Sequence, residues 1–146
     1  MNGSPNIAIG RPMKVGKEDM VGLYAAVKRY LNLDHAAMDR LYEERVATMI
    51  RELADVPGVT ATRSYPNEAG QPVPRVLVRF APPLSRDAIV AALQQGDPAI
   101  EVHVAGSDGI RLSDGILLNP MTLEDGEDVI VARSLREAVA HATSVH

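Results

Sequence analysis

Apolar residues recur at helical spacing over two consecutive segments in the first third of the chain. Between residues 17 and 33, four apolar residues fall on one helix face, and we call them the first stripe: Met20, Tyr24, Val27 and Leu31. Asp34 is a typical N-cap for a second helix that reaches about residue 55. The apolar face of that helix is predicted to hold five residues: Met38, Tyr42, Val46, Met49 and Leu53. The charged residues between them, Arg45 included, are predicted to face solvent.

After Pro57 the apolar spacing changes to a period of two, which is typical of strands. Strands are predicted at residues 59–65, 75–80, 100–104 and 116–118. A short helix capped by Ser85 reaches about residue 95, and a last helix covers about residues 126–142. The apolar side of that last helix is predicted to hold six residues: Val129, Ile130, Ala132, Leu135, Ala138 and Val139. Short connections favour an α+β fold, with a small antiparallel or mixed sheet that carries helices on one face.

Composition excludes several classes of function. Hydrophobic residues make up 46% of the 146 residues and charged residues 23%, as in ordinary globular proteins. The absence of cysteine excludes disulfides, thiolate metal ligands and cysteine nucleophiles, and it fits a cytoplasmic protein. A net charge of −4 and an aromatic content of 3% make nucleic acid an unfavourable partner. The sequence predicts neither a membrane span nor a signal peptide.

Common catalytic motifs are also missing from the sequence. The four histidines fall on different predicted elements, so no metal site is expected: His35, His103, His141 and His146. The acidic residues at 124–128 lack the alternating spacing of a calcium loop, and we interpret them as first-turn carboxylates of the last helix. There is neither a Gly-x-Ser-x-Gly elbow nor a phosphate-binding loop.

A group of cations precedes the first helix. Arg11, Lys14 and Lys17 are spaced by three residues, and Lys28 is the only other lysine of the chain. Together with the amides of the helix N-terminus, these side chains could bind an anion. The alternative is a solvated loop whose charges contribute little. The spacing alone leaves both interpretations open.

The same residues carry a resemblance to a known family. Residues 10–18 (GRPMKVGKE), followed by VGL at 21–23 and AAV at 25–27, resemble the segment after the cofactor lysine in the bacterial L-seryl-tRNA(Sec) selenium transferase-like family. The resemblance extends through residues 57–59 to the strand and turn at 115–123 (GILLNPMTL). These are pyridoxal-phosphate enzymes of the aspartate-aminotransferase fold, and they include ammonia lyases that act on amino-sugar acids.

The resemblance implies a small C-terminal domain of a fold-type-I pyridoxal-phosphate enzyme. Residues 1–16 would be a loop continuing from a missing large domain, residues 17–56 a connecting helix pair, and residues 57–146 the small α+β domain. The lysine that forms the aldimine with the cofactor would lie in the large domain, since its motif is absent from these residues. We therefore expect no catalytic residue in this chain and no cofactor held by the chain alone.

The resemblance also implies partners and a substrate class. Arg11 and Lys14 occupy the positions of an Arg-x-x-Arg pair that meets an anionic substrate group in selenium transferases. Lysine in place of the second arginine removes a bidentate donor, so a small phosphorylated or carboxylated amino substrate fits at least as well as seryl-tRNA. The partners expected are the large domain, encoded in frame or by a split gene, and further copies in a homo-oligomer. The alternative is a non-catalytic α+β binding or interaction module.

Overall fold

A computed structural model describes residues 15–67, 70–104 and 115–144 of the chain. The described residues form four α helices: α1 (Lys17–Leu31), α2 (His35–Leu53), α3 (Arg86–Gln94) and α4 (Glu127–Ser144). They also form three strands and one short 3₁₀ turn: β1 (Val59–Ser64), β2 (Arg75–Phe80), β3 (Gly115–Leu118) and the turn Pro120–Thr122. The predicted α+β class is confirmed.

The chain divides into two compact units, and the first of them contains α1 and extends to His35. The helix begins after Gly16, whose backbone N–H donates to Asp19 Oδ2 at 3.0 Å. At the other end, the side chain of Asn32 donates to the carbonyl oxygen of Lys28 at 2.9 Å. These local bonds satisfy groups at both helix ends. None of the residues of α1 is buried.

The second unit, residues 36–146, contains an antiparallel sheet of strand order β1-β2-β3. Val78 lies opposite Ala61 of β1 and Ile116 of β3, so all three side chains point to one face. That face packs against α2, α3 and α4 in a single core. The core residues with no more than 2% exposure are Val46, Met49, Leu53, Val76, Val78, Ile89, Leu93, Ile116, Ala132 and Leu135. The predicted packing of helices on one sheet face is confirmed.

Helix α2 confirms its predicted stripe, in which Met38 is half-buried, and it confirms its predicted solvated face except at Arg45. Tyr42, Val46, Met49 and Leu53 are buried. Arg45, predicted to face solvent, is only 7% exposed. Its position, three residues after Tyr42 and four before Met49, places it on the buried side of the helix. The prediction was wrong because it weighed the charge of Arg45 above this spacing.

The predicted strand at 100–104 is also wrong. Only His103 pairs with the sheet, through an isolated bridge to Leu117. The backbone N–H of Ile100 donates instead to the carbonyl oxygen of Leu93 at 2.9 Å, near the end of α3. This bond satisfies a terminal helix carbonyl and withdraws the start of the segment from the sheet.

Helices α3 and α4 follow their predictions with one exception. Ser85 Oγ accepts the N–H of Ala88 at 3.4 Å and caps α3 as predicted. In α4, Ala132, Leu135, Ala138 and Val139 are buried, but Ile130 is 42% exposed. Val131 packs against the core in its place, since position 131 precedes Leu135 by four residues and shares its face.

Candidate functional site

The predicted anion-binding residues Arg11 and Lys14 lie outside the described residues. Lys17, the third cation of that group, is the first residue of α1 and is exposed. The N–H of Gly16 already donates to Asp19, and Glu18 adds a second carboxylate to the first turn. These carboxylates complement the positive end of the helix dipole, so they compete with any external anion there.

Lysines are confined to the beginning of the chain. Lys17 and Lys28 are both exposed on α1, and no lysine follows Lys28 in the sequence. The second unit, which contains the sheet, therefore lacks an amine that could form a Schiff base with a cofactor aldehyde. The second unit alone therefore does not fit a pyridoxal-phosphate site.

The first stripe is exposed along its whole length. Met20 is 54% exposed, Tyr24 68%, Val27 48% and Leu31 74%. Leu23 and Tyr30, beside the stripe, are 67% and 62% exposed. An exposed apolar surface of this extent on one helix is typical of an interaction surface rather than of a solvated helix.

The turn that follows β3 is fixed to α2 by Arg45. Its Nη1 donates to the carbonyl oxygen of Pro120 at 3.2 Å, and its Nη2 lies 3.3 Å from Asp125 Oδ1. Asn119 Oδ1 accepts the N–H of Met121 at 3.0 Å and caps the 3₁₀ turn. Arg45 was predicted to face solvent, although its helical spacing from Tyr42 indicates the buried face of α2. Through its bond to Pro120, the guanidinium therefore holds residues 115–123, the segment of this chain that carries the family resemblance.

The acidic residues at 124–128 take the predicted helix-terminal role in part. Glu127 and Asp128 lie in the first turn of α4, and Glu127 Oε2 accepts the N–H of Glu124 at 2.8 Å. Asp125 differs, because it pairs with Arg45. In the part of the chain that the structure describes, no group of three histidine or carboxylate residues could hold a metal ion.

On the sheet face opposite the core, polar residues lie beside a point where β3 approaches β2 closely. Thr60, Arg79 and Gly115 form one cross-strand row on this face, and Thr60 and Arg79 are exposed. A Cβ placed on Gly115 would lie 2.5 Å from the carbonyl oxygen of Val78 and 3.4 Å from Cγ of Arg79. Only glycine permits this approach of β3 to β2.

Two ion pairs fasten α2 and the residues after it to other elements of the second unit. The guanidinium of Arg136 bonds both carboxylate oxygens of Asp55, and these hydrogen bonds lower the pKa of Asp55. Arg63 likewise bonds Glu43 and lowers the pKa of that carboxyl. The Arg136 pair borders a shallow groove of about 550 Å³ between the end of α2 and α4. Both arginines are engaged in hydrogen bonds within the chain.

None of the helices in the described ranges has an apolar stretch long enough to cross a membrane.

Comparisons with known proteins connect this fold to enzymes. No protein-family model matches the sequence. The chain is 32% identical over 130 residues to 5'-C-glycyluridine monooxygenase-decarboxylase from Streptomyces, covering 86% of this chain and 31% of the relative. It is 30% identical over 138 residues to D-glucosaminate-6-phosphate ammonia lyase from Salmonella typhimurium, covering 92% of this chain and 35% of the relative.

Solved structures extend the likeness to the fold. The structure of D-glucosaminate-6-phosphate ammonia-lyase matches 93% of this chain with a TM-score of 0.66 and 27% identity. LysN, an α-aminoadipate aminotransferase from Thermus thermophilus solved with N-(5'-phosphopyridoxyl)-L-leucine, matches 73% with a TM-score of 0.50 and 15% identity. The chain is related to pyridoxal-phosphate enzymes of fold type I. Its fold matches the small C-terminal domain of such an enzyme.

The match covers only part of each relative. The chain spans about a third of the length of the curated relatives and of the solved lyase. Roughly two thirds of each relative therefore has no counterpart in these residues.

Proposed function

We propose that this chain is the small-domain portion of a pyridoxal-phosphate-dependent lyase or transferase, selenium transferase-like, and that it is inactive without a large domain. The observation that carries the proposal is the match over 93% of this chain and only 35% of the solved lyase. The distribution of lysines supports it, because the second unit has none. Pyridoxal phosphate would supply the electron sink of the complete enzyme. The large domain would supply the lysine that holds it.

The substrate class proposed is a small anionic amino compound, either serine-like or an amino-sugar acid. The Salmonella relative is named for D-glucosaminate 6-phosphate, an amino-sugar acid with a carboxylate and a phosphate. Arg11 and Lys14 are our candidates for binding such an anionic group. In the complete enzyme, this chain would position the substrate and exclude water when its domains close. The cytoplasmic location and homo-oligomeric state remain predictions.

The proposal is tested by reading the DNA upstream of Met1 in frame, together with the neighbouring reading frames. We expect a polypeptide that carries a cofactor lysine, and we expect pyridoxal-phosphate absorbance when that polypeptide is expressed with this chain. Finding no such polypeptide, or finding that this chain is active without one, would contradict the proposal.

Substrate binding by the cation pair is tested in the same complex with D-glucosaminate 6-phosphate. Arg11→Ala and Lys14→Ala should each raise KM by about tenfold or more, since each removes a charged hydrogen bond of roughly 1.5–3 kcal/mol. Arg29→Ala is the matched control, because it removes an exposed positive charge from α1 on the side away from the first stripe. Equal KM values for all three variants would exclude Arg11 and Lys14 from the substrate site.

A non-catalytic binding module is the second candidate function. The self-contained core of the second unit favours it, since the sheet and three helices bury a continuous set of side chains. This alternative predicts a chain that melts cooperatively and functions without a large-domain partner.

A further inference from the structure

Helix α1 has no buried residue that could account for its stability. Each residue of its 15-residue length is at least partly exposed. Isolated helices of this length are marginal in water, and most helices in proteins depend on packing of an apolar face. The first stripe is such a face, and it has Leu23 and Tyr30 beside it. A covered stripe would therefore stabilise α1.

The size of this surface approaches that of one side of an interface. The surface consists of two tyrosines and four aliphatic side chains, and each of them is about half or more exposed. Since a tyrosine can bury about 150–250 Å², the exposed apolar area is on the order of 600 Å². The largest apolar patch on a typical monomer is about 300–600 Å², and a stable interface buries about 800 Å² on each partner. One helix thus supplies most of the area that one side of a stable interface needs.

The charges beside the first stripe disfavour antiparallel pairing with a second copy. Lys17 and Lys28 lie on the same side of the stripe, since positions eleven apart differ by only about 20° around a helix. In an antiparallel two-fold pair the same flanks meet, so Lys17 of one copy would approach Lys28 of the other. A different partner avoids this repulsion.

We propose that the first stripe, with Leu23 and Tyr30, is the docking surface for the large domain that this chain lacks. The proposal rests on the proposed function, because the length missing relative to the relatives, about two thirds, is what identifies the occupant. The partner surface is apolar and carries acidic groups opposite the Lys17 and Lys28 side of the stripe.

The test uses a chimera of the Salmonella lyase in which the segment aligned with this chain is replaced by the full chain. Covalent attachment gives an effective concentration of about millimolar, which offsets a weakened contact. Hydrogen exchange of α1 amides should slow by about tenfold or more in the chimera relative to the isolated chain. Unchanged exchange in α1, or loss of protection throughout the chain in the chimera, would overturn the docking surface. Pyridoxal-phosphate absorbance of the chimera is recorded separately and tests the proposed function.

A matched pair of variants separates the stripe from the rest of α1. Tyr24→Glu, in the stripe, should abolish the added protection, whereas Ala25→Glu, away from the stripe, should leave it unchanged. Sedimentation of the isolated chain tests the other occupant. A monomer is expected, and a dimer that Tyr24→Glu dissociates would show that a second copy covers the stripe and would overturn the proposal.

Discussion

Replacing Gly115 with alanine should destabilise the second unit, because β3 approaches β2 too closely for a side chain. The added Cβ would lie 2.5 Å from the carbonyl oxygen of Val78, whereas Cβ atoms essentially never come within 3.0 Å of such an atom. The strands would have to separate by about 0.5 Å, the difference between these two distances. Overpacking of this kind in a dense interior costs about 1–3 kcal/mol.

We expect Gly115→Ala to lower the free energy of unfolding by about 2 kcal/mol, measured by urea denaturation with circular dichroism. At about 2–4 °C per kcal/mol, Tm would fall by roughly 4–8 °C. Gly96→Ala is the matched control, because its Cβ would have no neighbour closer than 3.4 Å and its φ is not in the left-handed region. The control should change the free energy by less than about 0.5 kcal/mol. Equal stability of the two variants would refute the close approach of β3 to β2.

Three further predictions concern the second unit. Arg136 lowers the folded-state pKa of Asp55, so this pair stabilises the fold at neutral pH, and the contribution is lost as pH falls below about 4 and through the folded pKa. Arg136→Gln should therefore lower Tm at pH 7 but not at pH 2, and an equal decrease at both would contradict the role of the pair. Leu135→Ala should lower the free energy of unfolding, measured in urea, by about 3 kcal/mol, because Leu135 is fully buried. Ile130→Ala should lower it by less than about 1 kcal/mol, because Ile130 is partly exposed. The reverse order would contradict the orientation of α4. Arg45→Met keeps a long buried side chain, whereas Arg45→Ala leaves a cavity, so the methionine variant should be about 2 kcal/mol more stable. Equal urea midpoints of the two variants would contradict a packing role for this side chain.

The fold could be predicted wherever one periodicity dominates a segment. The buried face of α2 follows from the spacing of Tyr42, Val46, Met49 and Leu53, and β2 has the predicted bounds. The Ser85 cap could also be read directly from the sequence, because N-capping depends on a local side chain.

The errors arose where tertiary contacts decide the outcome. Residues 100–104 alternate like a strand, but the N–H of Ile100 is used by the carbonyl oxygen of Leu93 at the end of α3. Arg45 is buried because Pro120 and Asp125, 75 and 80 residues away, supply its acceptors. A sequence pattern does not report such distant partners.

The candidate site was harder to predict than the fold. Spacing identified the first stripe, but its exposure depends on which surfaces surround α1. Arg11 and Lys14 lie outside the described residues, so their substrate role remains a prediction. The absence of the cofactor lysine also remains a prediction, which the resemblance implies because the family's lysine motif does not occur in these residues.

The central claim is that the amine that binds the cofactor is not in this chain. It is tested most directly by adding pyridoxal phosphate to the purified chain, reducing with borohydride and mapping the labelled peptides after dialysis. We predict no stoichiometric label on Lys14, Lys17 or Lys28, but only weak labelling spread over these residues and the N-terminus. One full equivalent of label on a single lysine would contradict the account.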